Sequence, residues 1–570
     1  MTQVVRNEHG YSLRMYLRTT KRKNKDGSVV AYYPLAHNHW DPDNQRSKVE
    51  IIHSFGRADG LDLEALRRLC RSIARVCGLE VSERSAREAS EPASQLRLVR
   101  SVGLGVPHVV KQLWERLGIG PALREQIAAA GASPELEHAL LAIVANRLDE
   151  PTSKLGVWER WLSTVHLPEA DGLARDRLYE GLDFLEEHHA AVEESVFFHT
   201  ANLLNLEVDV LFYDTTTAEF ELDEPDEGDG LRKLGHSKEK RWTPQVVIAL
   251  AVTREGLPVR SWVFPGNTTD VTTVEKVRAD LRGWKLGRTL FVGDAGMNSE
   301  DNRRTLTAGG GRYVLACGTS STNEITKEVL GRPGRFKVVA DNLEVKEVVV
   351  GDGELRRRYL ICRNLEQAAR QKAHRQTVLE ELEAEMASHQ DAKVERSWVA
   401  KLRASKRYKR YLSVRKDRLV IDRSKVREAE RRDGKWILIT NDDTLSPEDA
   451  AQAYRSQLII ERSFRMMKSV QIEVRPMFHR LDRRIVAHVK VCVLALLLSR
   501  VAELATGQTW PRLRHELRQL QAIEYESDQH GFLGRTELTE EQATLLSNLN
   551  IEVPSKVLGT WPCETQLPLL

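Results

Sequence analysis

The stretch VLFYDTTTAEF, residues 210–220, places an aspartate directly after four apolar residues that favour a buried β-strand. A carboxylate beside a buried strand is costly to desolvate unless a cation offsets its charge. Asp and Thr also suit turns, so a strand that ends in a polar turn is an alternative interpretation. The role of Asp214 therefore depends on what the rest of the chain brings to the same end of the strand.

The region that follows alternates strand-like and helix-like runs. The strand-like runs are rich in Val, Ile, Leu and aromatic residues and stop at Gly, Pro or polar turns. Three meandering strands, then a helix, a strand, a helix and a strand, are typical of a mixed sheet in an α/β layer fold. The strand-like runs are 207–214, 243–253, 257–266, 288–296 and 312–318, and the helix-like runs are 270–283 and 299–306.

Three acids occupy similar positions in this pattern. Asp214 ends the first predicted strand and Asp294 ends the fourth, whereas Glu461 lies among apolar residues of a later helix. That helix has a clear start, because Ser446 is a good N-cap and Pro447 suits the first helical position. Converging carboxylates repel one another unless divalent cations neutralise them, and all-carboxylate sites suit Mg²⁺ or Mn²⁺. Two such ions about 3.5–4 Å apart can drive an in-line phosphodiester displacement.

Four polar residues of the same helix share one face. Tyr454, Gln457, Glu461 and Lys468 fall within a stripe about 60° wide on a continuous helix. A lysine two turns beyond the acid could hold a DNA phosphate beside the metal ions. Taken alone, the stripe is also typical of the edge of an ordinary helix core.

Four motifs in order along the chain carry a family resemblance. They are FYDTTT (212–217), FPGNTTD (264–270), VGDAGMNSEDN (292–302) and YRSQLIIERSFRMMKS (454–469). Together they resemble the DDE transposases of bacterial insertion sequences, in particular the branch with a Tyr-Arg-Glu-Lys signature spaced Y-x2-R-x3-E-x6-K. Further matches are GHSKEKRWTPQ (235–245) and RPMFHRLDRRIVAH (475–488). The resemblance is clear from about residue 205 to residue 500 and weaker at both ends.

The resemblance implies a ribonuclease-H-like catalytic core. Asp214, Asp294 and Glu461 match the three metal-binding acids of the family, which implies two Mg²⁺ ions, with Mn²⁺ as a substitute. It also implies a homodimer in the complex with DNA. The fold class predicted in this way is α/β, a ribonuclease-H-like mixed sheet flanked by helices and interrupted by an α+β insertion domain.

The signature helix departs from the family pattern at one position. Tyr454 and Lys468 match their signature positions, but the arginine position holds Gln457. Arg455 lies two residues earlier, about 160° away around a helix, and cannot simply take its place. A phosphate contact that depends on that arginine is therefore not expected here.

Changes in composition along the chain, together with the resemblance, predict six segments. The first two, a small β-rich basic module and a helical region expected to bind DNA ends, precede the catalytic core. The core is predicted in two parts, separated by the insertion domain and followed by a C-terminal region. The predicted limits, in order, are 1–58, 59–205, 206–320, 321–435 (the insertion), 436–505 and 506–570.

Basic residues are concentrated in one part of the predicted insertion. Residues 401–435 hold 15 Lys and Arg against five Asp and Glu, which favours contact with a polyanion. A charged, solvated helix is the alternative interpretation. The residues predicted to contact DNA here and around the acids are Lys406, Arg407, Lys409, Arg410, Lys238, Arg241, Tyr454, Arg465 and Lys468.

The composition is that of an ordinary soluble protein, with 41% hydrophobic and 29% charged residues among 570. The longest apolar stretch, 485–499, contains His488 and Lys490 and is interpreted as a buried helix, so no membrane segment is expected. Six cysteines without a CxxC pair fit a reduced, cytosolic protein. The resemblance implies that the protein is associated with the bacterial nucleoid when it acts.

The predicted function is transposition of an insertion sequence. The protein would bind the terminal inverted repeats and a target DNA, and would catalyse metal-dependent strand cleavage and strand transfer. Two alternatives remain at this point. One is another metal-dependent nuclease or resolvase on the same fold, and the other is a DNA-binding descendant without catalysis, which three half-buried acids argue against.

Overall fold

The computed structural model describes two compact units, residues 1–95 and 96–570. In the first unit it describes 15–23, 29–41, 46–57 and a few residues between 61 and 73. In the second it describes residues 96–562, except for short gaps. These gaps are 221–224, 227, 239–240, 320–323, 354–355, 389–395, 416–417, 470, 476 and 528–529.

The first unit contains an antiparallel sheet of four strands, which confirms the predicted β-rich module. The long strand β3 lies at its centre and pairs with all three others. The strands are β1 Met15–Leu17, β2 Thr20–Lys23, β3 Val29–Asp41 and β4 Arg46–Arg57.

The second unit is built around a ten-stranded mixed sheet, as the α/β prediction required. Its strand order is β12-β13-β14-β17-β11-β10-β6-β8-β7, with β9 also paired to β8. Strands β6, β10 and β11 are parallel neighbours, and the other pairs are antiparallel. The strands are β6 Val210–Glu219, β7 Lys233–His236, β8 Trp242–Val252, β9 Pro258–Pro265, β10 Leu290–Gly293, β11 Arg312–Cys317, β12 Lys337–Ala340, β13 Leu343–Val350, β14 Arg357–Arg363 and β17 Lys435–Thr440.

Helices cover both faces of this sheet, and β6 shows why. Its alternate residues point to opposite faces, and both sets are apolar and buried. Leu211 and Tyr213 pack on the face covered by helices Asp270–Gly283 and Glu300–Thr307. Val210 and Phe212 belong to the larger core on the other side, to which the helices of residues 447–506 contribute.

Strand β6 does not end at Asp214 as predicted. It continues to Glu219, because β8 pairs along this whole length, with Asp214 opposite Leu250. The parallel partner β10 stops much earlier, its Val292 lying beside Phe212. Asp214 therefore lies inside a strand, at the point where the neighbour on one side ends.

The signature helix is divided in two. Helix Pro447–Arg455 and helix Leu458–Lys468 are joined by a turn at residues 456–457. The predicted N-cap is confirmed, since the Ser446 hydroxyl accepts a hydrogen bond from the Asp449 backbone N–H at 3.0 Å. The stripe about 60° wide was calculated for one continuous helix. It therefore does not describe how Tyr454, on the first helix, is oriented relative to Glu461 and Lys468, on the second.

The predicted insertion contributes to the central sheet as well as forming a separate cluster. Strands β12, β13 and β14 extend the sheet through the pairing of β14 with β17, with Tyr359 opposite Ile439. The rest packs around its own core, which includes Leu382, Leu402 and Tyr411. Its elements are helices Leu365–Ala387, Arg396–Ala404 and Arg423–Glu430, and the hairpin of β15 Leu412–Arg415 and β16 Arg418–Ile421.

The predicted helical region packs against the end of the chain. Strand β5, Arg97–Gly103, joins a four-stranded sheet with β18 Gln521–Glu526, β19 His530–Arg535 and β20 Val557–Pro562. Helix Asp482–Thr506 is long and apolar enough to cross a membrane, but 89% of its apolar window is buried inside the protein. The predicted buried helix is confirmed. The other helices are Gly105–Arg116, Ile119–Ala130, Glu135–Asp149, Arg175–Leu203, Trp510–Leu517 and Glu540–Asn548.

Candidate active site

Two of the three predicted acids lie at the same edge of the central sheet. The register of the parallel strands β6 and β10 pairs Phe212 with Val292. Asp214 and Asp294 each follow that pair by two residues, so they lie at the same level, Asp214 within β6 and Asp294 directly after the end of β10. Asp294 begins a short 3-10 helix, where its carboxylate accepts a hydrogen bond from the backbone N–H of Ala295 at 2.6 Å.

The side chain of Tyr454 connects these two acids with the third. Burial raises the pKa of Tyr454, and the negative charges of Asp294, Glu461 and Asp214 raise it further. The charges of three acids, from strand β6, the start of a 3-10 helix and helix Leu458–Lys468, therefore act on one phenol. Their convergence on metal ions stays a prediction.

Asp214 is the acid with the most altered chemistry. Burial raises its pKa to about 6, and the charges of Asp294 and Asp270 act in the same direction. The charge of Lys238 and a 2.7 Å hydrogen bond from the Thr215 backbone N–H oppose this rise without cancelling it. The Asp214 carboxylate is thus held in a place where negative charge is poorly compensated by the protein.

A fourth acid, Asp270, was missed by the sequence analysis. Its carboxylate accepts a hydrogen bond from the Thr215 hydroxyl. It also forms an ion pair with the Lys238 ammonium at 3.1 Å. Asp270 is the last residue of the FPGNTTD motif and the first of helix Asp270–Gly283. That position looks like ordinary helix capping, and only the pairing of β6 with β8, and of β8 with β9, brings it beside Asp214.

The donor set fits a divalent cation. Carboxylate oxygens are the ligands that hard cations such as Mg²⁺ prefer, and the excess negative charge around Tyr454 and Asp214 is what such an ion would offset. Among the described residues, no three His, Cys, Asp or Glu side chains lie close enough together to hold one ion as they stand.

The two other signature positions differ in burial. Gln457 is buried at the turn between the two helices, whereas Lys468 is half-buried at the end of helix Leu458–Lys468. Arg465 lies one turn before Lys468 and is exposed. A helical break at residues 456–457 therefore separates Tyr454 from Glu461 and Lys468.

The remaining predicted DNA contacts fall into two groups. Lys238 pairs with Asp270, and Arg241 pairs with Glu219 at 3.0 Å, both on the segment that leads into β8. The second group lies between helix Arg396–Ala404 and β15, in the separate cluster of the insertion. Its members are exposed, and Arg407 pairs with Glu381 at 2.7 Å. They are Lys406, Arg407, Lys409 and Arg410.

An open cleft of about 540 Å³ adjoins Asp214 on the β7–β8 side. Its walls include Thr215, the residue after Asp214, and the ion pair of Lys238 with Asp270. Trp242 also lines it, with 73% of its surface exposed, and the His236 ring lies 6.2 Å from the Trp242 ring. An exposed tryptophan at the wall of such a cleft could have been suspected from the GHSKEKRWTPQ motif, where it follows three basic residues.

Comparisons with known proteins identify the family. A model of the transposase DDE domain matches residues 209–498, and a model of the N-terminal domain of IS1634 family transposases matches residues 17–85. No curated protein matches the chain. Among solved structures, a cryo-EM structure of the piggyBac transposase synaptic complex with hairpin DNA is similar over 74% of this chain and 82% of that chain. The identity is 10% and the TM-score is 0.36. The DDE match spans more than half of the chain, which therefore belongs to the DDE transposases of insertion sequences, in the IS1634 family.

Proposed function

We propose that this transposase binds the terminal inverted repeats of its own insertion sequence and cleaves and transfers the DNA strands at the site formed by Asp214, Asp294 and Glu461. The observation that carries the proposal is the register of β6 and β10, which places Asp214 and Asp294 at the same level of two neighbouring parallel strands, within the match to the transposase DDE domain. DDE transposases use divalent metal ions, and the all-carboxylate donor set favours two Mg²⁺ ions, with Mn²⁺ as a substitute.

Each residue has a defined task in this proposal. The cations, when bound, would supply positive charge for the attacking and leaving oxygens of the phosphodiester. Asp214, Asp294 and Glu461 would hold them from three separate elements. Tyr454, on whose pKa the charges of all three acids act, would lie next to the bound cations, and Lys238 would keep Asp270 in place through their 3.1 Å ion pair.

DNA contacts outside the acids are proposed at the basic residues described above. Lys468 and Arg465 follow Glu461 on the same helix, where they would reach a phosphate next to the cleaved bond. Lys238 and Arg241 would contact the strand from the side of the cleft, and the basic group of the insertion would contact the DNA backbone. We further propose that the protein acts as a homodimer on paired ends, at the bacterial nucleoid.

The test is the reaction itself. The full chain is incubated with DNA carrying its element's ends, a target plasmid and Mg²⁺, and the products are mapped by sequencing across new junctions. A transposase gives element ends joined to the target. A related nuclease or resolvase gives cut ends without such joints, and a non-catalytic descendant gives uncut DNA with binding alone, so either result would contradict the proposal.

A further inference from the structure

A second polar cavity, of about 360 Å³, lies where the predicted helical region meets the segment after the signature helix. Helix Glu135–Asp149, helix Arg175–Leu203 and residues 473–488 contribute to it, and none of the three catalytic acids does. Its lining is dominated by basic side chains. They are Arg147, Lys154, His479, Arg480, Arg484 and His488.

Lys154 is the most unusual of these residues. Its side chain is buried, with 4% of the residue exposed, and its ammonium nitrogen lies 2.7 Å from Nδ1 of His488. Burial lowers the pKa of Lys154, and the charge of Arg147 lowers it further. Among the described residues no carboxylate pairs with Lys154, although a buried lysine normally has such a partner.

Arg147 is buried to the same extent and is also incompletely satisfied. One terminal nitrogen donates to the Glu473 carbonyl oxygen at 3.1 Å and the other to the Thr152 carbonyl oxygen. Its Nε has no hydrogen-bond partner within the described structure. A buried donor without an acceptor is costly, and it lies in the wall of the same cavity as Lys154.

The acids near the cavity do not balance these charges. Asp183 is engaged by Arg483 and Arg484, each at 2.9 Å. Glu473 lines the cavity, and its charge opposes the lowering of the pKa of Arg147 by burial without cancelling it. Burial lowers the pKa of His479 to about 3, with the charges of Lys154, Arg484 and Arg147 contributing. The cavity is thus a region of positive potential.

We propose that this cavity binds one phosphate group, and that the phosphate belongs to the backbone of DNA bound by the transposase. A phosphate oxygen accepts hydrogen bonds only, which matches a lining that holds a buried lysine without a carboxylate partner and a buried arginine with one unsatisfied donor. Lys154 and Arg147 provide the buried end of the site, and the exposed guanidinium of Arg480 provides its entrance. The proposal that the phosphate belongs to DNA rests on the proposed function. The proposal that the cavity binds an anion does not.

The anion site is tested without DNA. Thermal unfolding of the full chain is followed in inorganic phosphate and in chloride of equal ionic strength. Phosphate should raise the Tm of wild type by about 1–3 °C more than chloride does. The extra rise should disappear in Lys154→Met and shrink in Arg480→Gln, a surface change that keeps the fold. It should persist in Arg512→Gln, which removes an exposed arginine elsewhere. No phosphate-specific rise in wild type, or an equal rise in Arg480→Gln, would overturn the site.

The DNA source is tested with end fragments in which single phosphates are replaced by neutral methylphosphonates. One position should exist at which the replacement weakens binding by wild type about tenfold but weakens binding by Arg480→Gln by a clearly smaller factor. A phosphate-specific rise in Tm with no such position would retain the anion site and overturn DNA as its source. Failure of strand transfer bears on the proposed function alone, because the phosphate measurement contains no DNA.

Discussion

Burial, together with the charges of Asp294 and Asp270, holds the pKa of Asp214 near 6. Asp214 could be singled out as a candidate site residue from the sequence, since an aspartate directly after four apolar strand formers is conspicuous. Its environment could not, because Asp270 is 56 residues away in the chain and becomes its neighbour only when β8 and β9 are in place. A carboxylate held in this state weakens the fold whenever it is ionised and no cation is bound.

Asp214→Asn should therefore stabilise the protein at neutral pH in a chelating buffer. The pKa of an unfolded aspartate is about 3.9, so the folded wild type binds the extra proton between roughly pH 4 and 6. Its stability falls as the pH rises through that window and stays lower above it. The variant should exceed wild type by about 1–2 kcal/mol at pH 7.5, after allowance for partial exposure, and by little at pH 4.

The measurement is urea unfolding at both pH values in EDTA. Asp301→Asn provides the control, because Asp301 is an acid with 91% of its side chain exposed on helix Glu300–Thr307. It should change the free energy of unfolding little at either pH. Equal free energies of unfolding for Asp214→Asn and wild type at pH 7.5 would show that folding does not disfavour the ionised form of this carboxylate.

At the scale of elements, helix Pro447–Arg455 and helix Leu458–Lys468 position Tyr454 and Glu461. The start of the first helix could be predicted from Ser446 and Pro447. The turn at 456–457 could not, since no glycine or proline marks it. At the turn the Ser456 hydroxyl donates to the Gln452 carbonyl oxygen at 2.9 Å, but Ser463 makes the same contact with Ile459 inside the unbroken second helix, so this bond alone does not explain the turn.

Loss of the cap should weaken the element that carries Tyr454. Ser446→Ala removes the acceptor for the Asp449 backbone N–H and should lower the free energy of unfolding by about 1 kcal/mol. Ser446→Asp keeps an acceptor at the N-cap and should remain within about 0.5 kcal/mol of wild type. Denaturant unfolding of the three proteins measures this. A loss of equal size in both variants would mean that packing, and not the cap, determines the cost.

At the scale of the molecule, local patterns predicted the α/β class, the mixed sheet and the β-rich N-terminal module. They did not predict that β12–β14 join the central sheet or that β5 pairs with β18, over 400 residues away. Short strands of this kind look alike in sequence, and their partners are decided by which edges the rest of the fold leaves open. The insertion therefore forms part of the catalytic sheet as well as a separate basic cluster.

That basic cluster should bind DNA through its backbone. Replacing Lys406, Arg407, Lys409 and Arg410 with Ala should weaken binding to specific and unrelated DNA by the same factor. It should also reduce the slope of log affinity against log salt concentration by about 2–4 units. Titrations at several salt concentrations measure both effects. A loss confined to the specific end would show that this cluster reads bases.

The central claim is that Asp214, Asp294 and Glu461 form one metal-dependent active site, and cleavage compared with binding tests it most directly. Asp214→Asn, Asp294→Asn and Glu461→Gln keep the shape of each side chain but remove its charge. Each should reduce Mg²⁺-dependent cleavage of end DNA by at least about a thousandfold, while DNA affinity, which comes mostly from phosphate contacts, stays within a few fold. Asp301→Asn, the exposed control, should cleave as wild type does. Near wild-type cleavage by any one of the three variants would contradict the claim and remove that residue from the site.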